Sequence, residues 1–215
     1  MNMNKNKAAA YLWSTGFVLF FVTIVLYVFI HQPAVESDAE RTAQLIESWA
    51  FASAIWRLET LAVVMVIISS WYFAAIEKSM SWFLVTLAHI VMIVMYANML
   101  GAYPAAAESF TEAPYLYPMV YDTSVWIFGF SNFLFLAGLV FIYISSEILS
   151  KWMSRTGAII SALLAMGSLA LFFEWLTFGH LMMGGPLFLI LYLLNAYLGL
   201  KLAKHHDSLT SQGYP

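Results

Sequence analysis

The chain has 215 residues, of which 62% are hydrophobic and only 10% charged, against roughly 25% charged residues in a soluble domain. That composition excludes an ordinary soluble fold and places the chain in a lipid bilayer. The absence of cysteine excludes disulfides, thiolate metal sites, iron–sulfur clusters and cysteine nucleophiles, and a net charge of −3 gives no reason to expect nucleic-acid binding.

A spanning helix needs about 20 mainly apolar residues. Six stretches meet that length, at 8–31, 49–76, 80–102, 122–146, 157–179 and 186–202. The first follows Lys5 and Lys7; it is about twice the length of a secretory signal core and ends in no clean small-residue cleavage site, so it reads as a span. The next segment, His31 to Ser48, is polar, and its Glu40 to Glu47 part lacks helix breakers and is expected to extend the second span outward. That span carries two opposite charges, Arg57 and Glu59. At about 2.5–3.5 kcal/mol per charge at mid-span, such residues mark a site or a structural pairing.

The segment from Gly101 to Asp122 holds Pro104, Pro114 and Pro118 among Tyr103, Phe110, Tyr115, Tyr117 and Tyr121. So many rings predict a packed cap over the bundle rather than a loose tether. Asp122-Thr123-Ser124 reads as the N-cap of the fourth span. The connection from Gly179 to Pro186 is tight, with Pro186 suited to a first helical turn, and residues 205–215 form a flexible tail.

Six spans put both ends of this stretch on one side. Lys5, Lys7, Lys78, Lys151, Arg155, Lys201 and Lys204 all fall at that face, which the positive-inside rule makes cytoplasmic. Trp13, Trp82 and Trp152 near the inner ends, and Trp49, Trp56, Trp126 and Trp175 near the outer ones, are expected at the two interfaces. The predicted fold is an all-α integral membrane bundle of six spans (residues 1–204), N-in and C-in, in a bacterial inner membrane, its outer face capped by the Pro/Tyr-rich loop.

Counted from the inner ends at about 1.5 Å per residue, Arg57, Glu59, Asn98, Glu174 and His180 lie at one height near the outer edge of the hydrocarbon, while His89 lies near the middle. Arg57 and Glu59 are roughly 160° apart around their helix and cannot pair with each other. The expectation is an outward-facing polar pocket in which Arg57 pairs with Glu174 and Glu59 faces His89 or Asn98. The bland reading is that Arg57 snorkels to water, that His89 is a hydrogen-bonded interhelical residue and that the asparagines are interhelical glue.

No cofactor is expected. Thioether and imidazole ligands suit Cu(I), which makes His89, Met92 and Met99 an alternative copper set, but methionine in so apolar a chain is an ordinary gap-filler. His89 and His180 differ too much in depth to share a haem. The chain lacks GxSxG and HExxH patterns, so the reading leans away from an enzyme. It also lacks inverted halves and mid-membrane Gly/Pro breaks, which lowers a transporter reading.

From Ser145 to Ile159, through Glu147, Lys151-Trp152, Arg155 and Gly157, the chain resembles the DUF4386-like family of bacterial membrane proteins. Those proteins place a short basic loop with a tryptophan before a glycine-containing span. The motif covers about fifteen residues and the six-span layout covers the whole chain. The family is functionally uncharacterised, so the resemblance implies a fold and no catalytic residue; the Pro/Tyr-rich loop and the Arg57–Glu59 pair have no counterpart in its pattern. The function expected from these readings is a membrane binding or interaction protein whose partners are the lipid bilayer and a small ligand, ion or partner subunit. The alternative is a secondary transporter or proton-coupled carrier using Glu59 or Glu174, and the third reading is a membrane-embedded enzyme or copper protein.

Overall fold

A computed structural model of the chain describes residues 5–27 and 37–211, with side chains through residue 205. Among the described residues the structure is all helix and turn: α1 (Lys5–Leu26), α2 (Asp38–Glu47), α3 (Trp49–Glu77), α4 (Met80–Glu108), α5 (Leu116–Ser145), α6 (Lys151–Phe172), α7 (Phe178–Met182) and α8 (Gly185–Ser211). Six of these, all but α2 and α7, are long and apolar enough to cross a membrane. The six-span all-α bundle is the architecture, and the protein is a multi-pass membrane protein.

The spans form a ring in the order α8, α1, α3, α4, α5, α6, which a shorter contact between α6 and α8 closes. Without a hydrophobic drive between helices in lipid, close packing has to supply the attraction, and small residues at the crossings allow it. Gly199 of α8 lies against the α1 backbone, where an added Cβ would come within 2.8 Å of the Ala10 carbonyl oxygen and 2.9 Å of the Ser14 nitrogen. Gly138 of α5 lies equally close to α4, 2.8 Å from the Ser81 carbonyl oxygen. Gly101 of α4, by contrast, has open space around its missing Cβ. Because glycine costs a helix interior about 0.5–1 kcal/mol relative to alanine, Gly101→Ala is expected to raise the thermal unfolding temperature in detergent slightly; a fall would show a contact at this position.

Interhelical contacts also bring the basic residues to one end of the bundle. Tyr72, late in α3, donates to Asn6, early in α1, at 2.5 Å; Trp13 of α1 donates to the Asn195 carbonyl of α8 at 3.0 Å; and Gly157, early in α6, packs on the ring of Tyr143, late in α5. The ends that carry Lys5, Lys78, Lys151 and Lys201 are therefore neighbours. Trp13 and Trp82 are buried between helices and meet edge to face at 4.9 Å, the Trp13 indole N–H donating to α8 and that of Trp82 to Glu77. Trp152 does stand exposed.

The opposite end is more helical than the proline content implies. α4 continues through Pro104 to Glu108, and Pro118 falls in the first turn of α5, where a missing N–H costs nothing. Asp122-Thr123-Ser124 is thus not a cap but lies inside α5, with Thr123 and Ser124 hydroxyls donating back to the Met119 and Val120 carbonyls. The packed cap forms all the same, as helix ends rather than as a loop. Trp56, Tyr103, Tyr117 and Tyr121 contact one another in sequence at centroid distances of 5.7–6.5 Å. α2 is a separate helix started by a Ser37/Glu40 capping box; the chain turns at Ser48, so α2 leans over α4 and α5 instead of prolonging α3. Its Arg41 pairs with Asp38 at 3.6 Å and stacks over the Tyr121 ring at 5.3 Å.

The fifth span runs six to seven residues earlier than expected. Ser150 caps α6 by accepting from the Met153 N–H, and the helix stops at Phe172, after which Glu174 takes a left-handed φ of 59°. α8 continues to Ser211, so the backbone of most of the expected tail is helical. The outer end of the first expected span, 28–31, lies outside the described residues.

Candidate functional site

The expected single polar layer separates into three places. Arg57 points from α3 to the exposed surface, and Glu174 is exposed at the end of α6. α3 and α6 sit across the ring from each other, and among the described residues no ion pair joins Arg57 to Glu174. The predicted pair is therefore corrected: depth along each helix was comparable, but position around the ring was opposite. His180 is also exposed and serves local structure, its ring Nδ1 lying 2.7 Å from the Thr177 hydroxyl and accepting the Thr177 N–H, which together start the short α7.

Asn98 is interhelical glue at the cap. Its amide donates to the Ser124 hydroxyl at 2.8 Å and to the Val120 carbonyl at 3.3 Å, joining α4 to the first turns of α5. Asn98→Leu would remove both of these bonds from α4 to α5. It is expected to destabilise by about 1–2 kcal/mol, readable as a lower unfolding temperature in detergent; an unchanged value would show that the link carries no stability.

Glu59 is different. Two residues after Arg57 on α3, it is half-buried and faces nearly the opposite way, its carboxyl turned inward within hydrogen-bonding reach of the Tyr96 hydroxyl of α4 and the Thr23 hydroxyl of α1. Both partners are buried. Tyr192 of α8 and Tyr27, just past α1, lie within electrostatic reach of it. Hydroxyls from three spans, α1 with the residue just past its end, α4 and α8, thus surround one carboxyl. No Lys or Arg side chain among the described residues pairs with it. Glu59 meets neither His89 nor Asn98 directly, contrary to expectation, because Tyr96 stands between Asn98 and His89 on the inward face of α4.

His89 shares that inward face, seven residues before Tyr96, and is buried. Its Nδ1 lies 2.8 Å from the Val85 carbonyl, which makes Nδ1 the protonated nitrogen, donating along its own helix. The ring packs on Phe135 at 5.0 Å and Phe20 at 6.2 Å, and Phe20 stacks on Tyr192 at 5.7 Å. An aromatic floor therefore separates the Glu59 cluster from the basic end of the bundle. The copper alternative does not assemble. Met99 is ten residues from His89 on one continuous helix, about 15 Å along the axis, and the Met92 sulfur accepts from the Ser131 hydroxyl at 3.5 Å.

Toward the cap, tyrosine hydroxyls continue the polar column. Tyr27 is within electrostatic reach of both Glu59 and Tyr121, and Tyr103 neighbours Tyr117, Tyr121 and Tyr27 and bonds to Ser124. The column thus runs from Arg41 and Asp38 at the cap surface to Glu59 inside. Sequence reasoning singled out Glu59 but missed Thr23, Tyr27 and Tyr192. Single hydroxyls in apolar spans carry no local signal of the face they occupy. Tyr96 lies in the same helical row as His89 and Met92, but nothing in that row marked it as a carboxyl partner.

Comparison of the chain with protein-family models, with curated proteins and with solved structures finds no match in any of the three.

Proposed function

We propose that this protein is an inner-membrane binding protein, with both chain ends cytoplasmic, whose site is the Glu59 carboxyl reached from the outer side through the tyrosine column, and whose ligand is a proton or a small cation. The observation that carries the reading is the inward carboxyl facing two hydroxyls, with no countercharge beside it among the described residues. An unpaired carboxylate in a low-dielectric interior costs several kcal/mol, and ionisable residues inside spans are by default parts of ion or proton pathways. A positive ligand supplies the missing charge, and the hydroxyl oxygens of Thr23, Tyr96 and Tyr192 supply neutral oxygen donors around it.

The Thr23 hydroxyl adds a feature suited to reversible protonation. It has one proton and also lies 3.1 Å from the Phe20 carbonyl. When it donates to Phe20, its oxygen accepts a hydrogen bond from the Glu59 carboxylic acid; when it donates to Glu59, it serves the carboxylate. The site therefore keeps its hydrogen bonding in both protonation states through one hydroxyl rotation. This favours, as a second reading, a proton-coupled carrier. Glu174, being exposed, has no part in it.

The test uses purified protein in nanodiscs. Infrared difference spectra between acidic and alkaline buffer are expected to contain a carboxylic-acid carbonyl band that Glu59→Gln removes, and sodium or methylammonium is expected to perturb the same band. Superimposable spectra from wild type and variant would overturn the binding site. The carrier reading requires in addition that proteoliposomes acidify internally after an external acid jump, reported by a trapped pH dye, and that Glu59→Gln stops this. Acidification unaffected by the substitution would remove that reading alone.

A further inference from the structure

A second site lies at the basic end of the bundle, where α5 hands over to α6. The turn between Ser145 and Lys151 encloses a groove of about 790 Å³ whose polar lining comes from Ser146, Glu147, Ser150, Lys151, Ser154 and Arg155. Lys151 and Arg155 are one turn apart on the same face of α6, both exposed and neither in an ion pair among the described residues. The Ser146 and Ser154 hydroxyl oxygens are shut off from solvent and have no hydrogen-bond partner. Serine in a helix ordinarily returns its proton to a carbonyl one turn back. Ser154 of α6 does not, and Ser146, just past the end of α5, lines the same groove; each hydroxyl is a donor without an acceptor. Of the first-turn amides of α6, that of Met153 is capped by Ser150, while those of Lys151 and Trp152 have no intrahelical acceptor.

The groove opens at headgroup depth. Trp152, beside Lys151, is 72% exposed, and tryptophan favours the membrane–water boundary. Ile144 and Ile159 flank the opening, 69% and 61% exposed, as a surface for acyl chains running toward the membrane interior. An occupant matching all of these features carries negative charge and several acceptor oxygens at one end and hydrocarbon at the other.

We propose that this groove is a binding site for an anionic phospholipid. Lys151 and Arg155 neutralise its phosphodiester, the Ser146 and Ser154 hydroxyls, covered in the free protein, turn outward to donate to the phosphate oxygens, and Ile144 and Ile159 line the acyl chains. Glu147 offsets one of the two positive charges and sets the affinity below what the cations alone would give. The site is independent of Glu59, at the other side of the aromatic floor.

Native mass spectrometry of the full chain released from nanodiscs of mixed phosphatidylcholine and phosphatidylglycerol tests it. Wild type is expected to retain phosphatidylglycerol in preference to phosphatidylcholine, and Lys151→Gln with Arg155→Gln to reduce that preference about tenfold. Glu147→Gln is expected to increase it. Ser154→Ala is expected to weaken retention about threefold without lowering the unfolding temperature. Lys201→Gln with Lys204→Gln, at the same end but outside the groove, is the control and is expected to retain the lipid. The proposal is overturned if wild type shows no preference, if the Lys151/Arg155 variant keeps it, if the Lys201/Lys204 variant loses as much, which would mean diffuse surface charge, or if inorganic phosphate displaces the lipid, which would mean a site for free phosphate.

Discussion

Glu59→Gln is expected to leave the bundle at least as stable as wild type while abolishing the acid-dependent infrared carbonyl band and any dye-reported proton uptake. The glutamine keeps the shape of the side chain and a carbonyl oxygen for the Tyr96 hydroxyl, and it removes the cost of an ionised group in an apolar interior. A residue kept for chemistry against its own stability gives this pattern, in which function falls and stability does not. A residue kept as a packing clasp gives the reverse. An unfolding temperature lowered by several degrees with an unchanged difference spectrum would therefore count decisively against the proposed site. Tyr96→Phe separates the two further. It removes a donor to the carboxyl and is expected to cost about 1.5–3 kcal/mol, with the Glu59 band shifted but still present.

Gly199→Ala is expected to destabilise by about 1–3 kcal/mol, or to separate α1 from α8 measurably, although it adds one methyl group. The atoms that the new Cβ meets are the Ala10 carbonyl oxygen and the Ser14 backbone nitrogen, and backbone within a helix cannot rotate aside as a side chain can. The effect extends beyond that contact. The same crossing carries the Trp13 bond to the Asn195 carbonyl and the Ser14 hydroxyl bond to the Ala196 carbonyl at 2.9 Å, and Trp13 packs on Phe17 and Trp82 at the base of the aromatic floor. Thermal unfolding in detergent of Gly199→Ala beside Gly101→Ala checks this. Equal and small changes in both would show that the α1–α8 approach is looser than the geometry requires.

Composition and run length determined the membrane setting and the six spans, because a bilayer tolerates few solutions: about 20 apolar residues per crossing with every backbone group bonded internally. The same logic made Glu59 conspicuous, as charge within a span is rare enough to be seen without any neighbour. Where the spans begin and end followed less well. Ser150 and the left-handed Glu174 moved the fifth helix toward the N-terminus, and Pro118 sat harmlessly in a first turn, since capping acts over one or two residues that hydropathy does not resolve.

Which polar groups meet was decided only in three dimensions. Depth along a helix can be counted from sequence, and the height of Arg57, Glu59, Asn98 and Glu174 was counted so. The angle around the ring cannot be counted, because helices that are apolar on every side give no inward stripe to read. Helix order placed Arg57 and Glu174 on opposite sides and brought Thr23, Tyr96 and Tyr192, from three separate spans, to one carboxyl. Glycines at the crossings permit that arrangement, since larger side chains there would hold the helices apart.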